Sequence, residues 1–102
     1  MNHQNLVSIV IPCYNQAEYL YGSTQSVIEQ IYPNIEIIIV NDGSTDHTQE
    51  VAQKLQKEYP DMIHVLTQKN KGLPEARNSG IKKASGQKNR YRFFTLLCTT
   101  KI

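Results

Sequence analysis

Residues 35–46 read IEIIIVNDGSTD, and the fold is decided there. Ile35–Val40 is β-branched at nearly every position, the composition of a parallel strand covered on both faces. Asn41–Asp46 then supplies only turn and cap formers, so the strand stops abruptly. Asp46 suits an N-cap, and Gln49 stands where a capping box would complete it. Val51, Ala52, Leu55 and Tyr59 follow at helical spacing, and Pro60 ends that helix.

The same strand-then-helix unit repeats on either side. Upstream, Val7–Ile11 reads as a short buried strand closed by Pro12. Glu18–Ile31 places Leu20, Thr24, Val27, Ile28 and Ile31 on one helical face, and Pro33-Asn34 breaks the helix. Downstream, Ile63–Thr67 reads as a third strand and Gln68–Leu73 as a loop. A helix then runs from Pro74 to about Ser85, with Glu75 in its first turn, Lys82 and Lys83 in its last, and Gly86 as its stop. Repeated β-α-β units imply an α/β fold with helices on both faces of a parallel sheet of three to four strands. The fourth strand would come from the apolar run Tyr91–Cys98.

Length and composition restrict the alternatives. A chain of 102 residues holds one small domain. With 39% hydrophobic and 20% charged residues it is neither collagen-like nor disordered. Its longest apolar runs fall far short of the roughly 17 residues a membrane helix needs, so no transmembrane segment is expected. The first residues resemble no secretory signal, and Cys13 and Cys98 fit no metal spacing; a cytoplasmic location with reduced thiols is expected. Charge is lopsided: two Lys against eight carboxylates up to Gln68, then nine Lys or Arg against Glu75 alone. Such a basic back third suits an anionic partner or is simply a solvated face, and no specific nucleic-acid site is expected from it. His3, His47 and His64 are scattered, and neither a dinucleotide fingerprint nor a P-loop is present.

Ligands of open α/β sheets bind outside the carboxyl ends of the strands. Three loops converge there. The first carries Pro12, Tyr14 and Asn15; the second Asp42, Gly43 and Ser44; the third Lys71 and Gly72, with Arg77 and Asn78 in the helix behind it. An aromatic platform, a carboxylate acceptor and cations at one rim suit a nucleotide bearing phosphates.

These residues also resemble a known family. Pro12-x-Tyr14-Asn15, Asn41-Asp42-Gly43-Ser44-x-Asp46 and Asn70-x-Gly72 with Ala76-Arg77-Asn78-x-Gly80 are similar, in order and spacing, to the inverting family-2 glycosyltransferases. The resemblance implies a GT-A (Rossmann-like) three-layer α/β/α fold, present in part. It implies sugar transfer, with inversion, from a nucleotide-diphosphate sugar, uridine-linked, to a saccharide or lipid-linked acceptor hydroxyl in polysaccharide biosynthesis. Residues Pro12, Tyr14, Asn15, Asp42, Gly43, Ser44, Lys71, Arg77 and Asn78 would form the nucleotide-sugar site. Pro12 and Tyr14 would line the base, Asp42 would accept the uracil imide N–H, and Lys71, Arg77 and Asn78 would lie near ribose and diphosphate. A peripheral place at the inner membrane face is compatible with this.

The sequence departs from that pattern after Gly86. The family continues with a strand ending in Asp-x-Asp, which holds Mn²⁺ or Mg²⁺, and later supplies a catalytic base. Here no Asp or Glu follows Glu75, and Cys98-Thr99-Thr100 stands where the metal ligands would be. The expectation is therefore a glycosyltransferase segment over 1–86, with 87–102 read out of frame, holding no metal and inactive alone. Two other readings stand beside it: a non-catalytic nucleotide-binding module, and a nonfunctional remnant. Asp46 is expected to cap its helix rather than touch a ligand, and Cys13 to fill a strand end.

Overall fold

The computed structural model describes residues 7–31 and 35–84, and the backbone of 92–95. The elements are β1 (Val7–Cys13), α1 (Ala17–Ile31), β2 (Ile35–Asp42), α2 (Thr48–Glu58), β3 (Ile63–Gln68), α3 (Leu73–Lys83) and β4 (Arg92–Thr95). All four strands are parallel in the order β3-β2-β1-β4.

Alternation along the strands sorts the core into two layers. Ile9, Ile11, Ile37, Ile39 and Ile63 face Leu20 and Ile28 of α1 and Ala52 and Leu55 of α2. Val10, Ile38 and Val40 face Ala76 of α3 and Ala84 just past its end. The chain runs outward from β1 through β2 to β3, then returns across β1 to β4. A right-handed crossover in the reversed direction must pass over the opposite face, which is why α3, among the described helices, packs there. Gly80 brings α3 down onto the sheet: a Cβ at that position would fall 2.4 Å from Val10 Cγ1.

Several boundaries differ from the sequence reading. β1 runs on through Pro12 to Cys13 and pairs with β2 as far as Asn41. Among the described residues β4 pairs with β1 over Val7–Val10, and Pro12 lies near the end of β1, a strand position that proline tolerates. α2 begins at Thr48 with His47 at the N-cap position, so Asp46 sits one residue earlier than a regular cap. No capping box forms, because the Gln49 carboxamide is taken by Asn41 Nδ2 at 2.7 Å and by the Thr67 hydroxyl at 3.0 Å. α3 begins at Leu73, which puts Pro74 second, where a missing N–H leaves no helix bond broken. On α1, Leu20, Thr24 and Ile28 are buried as expected, with Val27 packed against them. The break at Pro33-Asn34, the stop at Gly86, the Ile31 side chain, His3 and the Cys98–Thr100 segment lie outside the described residues.

Candidate functional site

The loops after β1 and β2 are laced together by side-chain-to-backbone bonds. Asn15 adopts φ +54°, a left-handed conformation that Asn tolerates better than most residues. Its N–H donates to Ser44 Oγ at 2.9 Å. In return its Oδ1 accepts from the N–H of Thr45 at 2.7 Å and of Asp46 at 3.2 Å. The Asp46 carboxylate then accepts from the first N–H of both helices, Thr48 at 2.9 Å and Ala17 at 3.3 Å. Negative charge at two helix N-termini is favourable. Burial alone would raise the Asp46 carboxyl; the Thr48 hydroxyl and amide, the Ala17 amide and the charge of His47 outweigh it and hold it below the usual range.

The second loop is tied to the third through Asp42, which is 1% exposed. Asp42 Oδ1 accepts from Gln68 Nε2 and from the Lys71 N–H, each at 2.9 Å, and Oδ2 accepts from the Gly72 N–H at 2.9 Å. Asn70 Nδ2 donates to the Asp42 carbonyl at 3.1 Å. Burial pushes this carboxyl upward, but the bonds from Gln68, Lys71 and Gly72 and the Lys71 charge leave it ionised below the ordinary carboxylate range. Gly43 and Gly72 make this junction possible. Both have positive φ, +75° and +100°, and a Cβ on Gly43 would stand 2.6 Å from the Asn70 nitrogen.

At this rim the nine residues singled out from sequence fall into two groups. Tyr14, 38% exposed, presents its ring outward, and Lys71, Arg77 and Asn78 are exposed beside the third loop. Asn15, Asp42, Gly43 and Ser44 hold the loops against one another, and Pro12 is buried in β1. Sequence reasoning passed over Gln68 and Ser79. Ser79 Oγ donates to Gln68 Oε1 at 2.8 Å, which fixes the amide that faces Asp42. Their only signal was position, one at the end of β3 and one a helical turn behind Glu75.

A divalent metal does not fit the described residues. Among them no group of three His, Cys, Asp or Glu side chains gathers. The carboxylates of Asp42 and Asp46 at the rim are both turned toward N–H donors.

A family model described as Glycosyl transferase family 2 matches residues 8–97. The uncharacterized glycosyltransferase YibD of Escherichia coli K12 is 41% identical over 87 residues, covering 85% of this chain and 25% of its own. Glycosyltransferase GlyA of Streptococcus pneumoniae is 42% identical over 83 residues, covering 78% of this chain and 11% of its own. Among solved structures, S. aureus TarS 1-349 in complex with UDP-GlcNAc superposes with a TM-score of 0.65 at 28% identity, over 90% of this chain and 25% of that one. The mannosyltransferase PcManGT from Pyrobaculum calidifontis, in complex with GDP-Man and Mn²⁺, gives 0.71 at 25% identity, over 78% and 24%. The architecture is thus that of the GT-A glycosyltransferases, and the chain spans about a quarter or less of the length of these relatives.

Proposed function

The chain belongs to glycosyl transferase family 2, and from that premise we propose that its rim binds the nucleotide of a uridine-diphosphate sugar. The whole protein would transfer that sugar, with inversion, to a saccharide or lipid-linked acceptor hydroxyl. Relatives of known structure hold UDP-GlcNAc in one case and GDP-Man in the other, so the base is the open question.

Asp42 carries the reading. A carboxylate offers about four acceptor positions. Among the described residues three are taken, by Gln68, Lys71 and Gly72, which leaves one on Oδ2. Uracil presents a single N–H between two carbonyls and matches one open acceptor. Guanine presents two adjacent N–H donors and would need two. Adenine and cytosine set a ring-nitrogen lone pair against the carboxylate. The exposed Tyr14 ring supplies a stacking surface, worth roughly 1–3 kcal/mol per base. Lys71 and Arg77, both exposed, would meet the diphosphate by charge-assisted bonds.

Within these 102 residues Glu75 is the last acidic side chain, and no step is routed through a metal. The part this stretch plays in the whole protein is to bind the donor nucleotide. Acceptor choice and a role in polysaccharide assembly in the cytoplasm or at its membrane face belong to the same proposal. No helix among the described residues is long and apolar enough to cross a membrane. Calorimetric titration of the full chain with UDP and ADP tests the reading. UDP should bind more tightly, and Asp42→Asn should erase that preference; a preference that survives the substitution unchanged removes Asp42 from the base site.

A further inference from the structure

We infer that Gln68 is a specificity-determining residue, acting through Asp42 and held in place by Ser79; the inference rests on the assignment of Asp42 to the base. A carboxylate only accepts, so the Gln68 amide must turn its Nε2 toward Asp42 Oδ1, where it stands at 2.9 Å. That orientation leaves Oε1 on the far side, and Ser79 Oγ donates to it at 2.8 Å. The same hydroxyl lies 3.1 Å from the Glu75 carbonyl, a longer alternative for its one proton. A wrongly flipped amide would set Oε1 against the carboxylate and leave the Ser79 hydroxyl facing an NH₂ group. One rotamer is therefore favoured over the other by two bonds.

The consequence is chemical rather than structural alone. Lys71 and Gly72 bind Asp42 through backbone N–H groups, which no substitution short of proline removes. Gln68 is the one side chain among the three donors. Its amide closes the second acceptor position on Oδ1, and so a base with two adjacent donors finds one partner instead of two. Without that amide the carboxylate can present an open position on each oxygen, the arrangement a guanine edge uses. Gln68 thereby excludes guanosine more than it attracts uridine, which is discrimination by an occupied acceptor.

The test is the ratio of UDP to GDP affinity, measured by calorimetry on the full chain. Gln68→Ala should lower that ratio by about tenfold, the scale of one bidentate base contact, chiefly by strengthening GDP. Ser79→Ala, which keeps Gln68 but frees its orientation, should lower it less, and it serves as the reporter should Gln68→Ala fold poorly. Asp42→Asn separates the two layers of the argument. A ratio that responds to Asp42→Asn but stays constant in both other variants, or weakening of UDP and GDP by equal factors, overturns the role of Gln68 and leaves the base assignment standing. A ratio indifferent to Asp42→Asn, or no binding of either nucleotide by the unsubstituted chain, overturns both.

Discussion

The N–H of Asn15 donates to Ser44 Oγ at 2.9 Å across 29 residues of sequence, and the Asn15 side chain accepts in return from the two residues after Ser44. The ends of β1 and β2 are therefore one rigid corner, and Tyr14 is carried on it. Asn15→Ala removes an acceptor from two N–H groups and places a Cβ residue with no local compensation at φ +54°. A loss of about 1–3 kcal/mol is expected, read from the urea midpoint. Asn15→Gly should fall between the two, since glycine accepts the backbone angle but not the bonds. Equal midpoints for the Ala and Gly variants would show that the angle contributes nothing.

Stability should fall in acid for a reason that can be assigned. Asp42 and Asp46 both have carboxyls held below their ordinary value in the folded chain. The unfolded chain therefore takes up these protons first as pH falls. Their contribution is fully present above about pH 4, the ordinary aspartate value, and is lost progressively as pH drops through the lower folded values. Urea midpoints followed from pH 6 to 2.5 should decline below about pH 4. Replacing both residues by Asn should lower the neutral-pH midpoint and flatten the decline. An unchanged slope in the double variant would mean other carboxyls carry it.

How much of this was legible in the sequence depends on what each residue does. The strands were readable because Val7–Ile11, Ile35–Val40 and Ile63–Thr67 are locally β-branched, and the helices because their apolar spacing, and the Pro60 stop after α2, are local as well. The cap of α2 was misplaced by one residue because the Asp46 carboxylate serves α1 and α2 together, and Gln49 is drawn off by the buried Asn41. Neither pull exists within the helix's own sequence. At the rim, sequence singled out Asp42 and Ser44 but could not tell that both spend acceptor positions on other loops. Gln68 and Ser79 were invisible, since a glutamine ending a strand and a serine on a helix are ordinary until Asp42 is seen between them.

Thr24 is wholly buried on α1, and its hydroxyl has no hydrogen-bond partner among the described residues. Thr24→Val keeps shape and removes the unpaired polar atom, while the two residues have nearly equal helix propensity. A gain of about 1 kcal/mol is expected, read as a higher urea midpoint at constant slope. A loss of stability would indicate that the hydroxyl is satisfied in solution.

The approach of α3 to the sheet predicts a non-additive pair. Gly80→Ala sets a Cβ against both γ carbons of Val10, at 2.4 and 3.3 Å, and should cost about 1–3 kcal/mol by overpacking. Val10→Ala removes those carbons and opens a cavity of its own. The double variant should therefore be less destabilised than the sum of the two, with a coupling of at least about 0.5 kcal/mol. Strict additivity in urea unfolding would place the helix farther from the strand than described.

The most direct test of nucleotide binding at this rim is an amide-shift titration of the isotopically labelled full chain with UDP. The account predicts saturable shifts at Tyr14 and Asn15, at Asp42 and Gly43, and at Lys71 and Gly72, whose N–H groups share the Asp42 carboxylate. Amides at the opposite end of the sheet, around Val7 and Ile35, should stay in place. Shifts confined to that opposite end, or none at millimolar UDP, would contradict it.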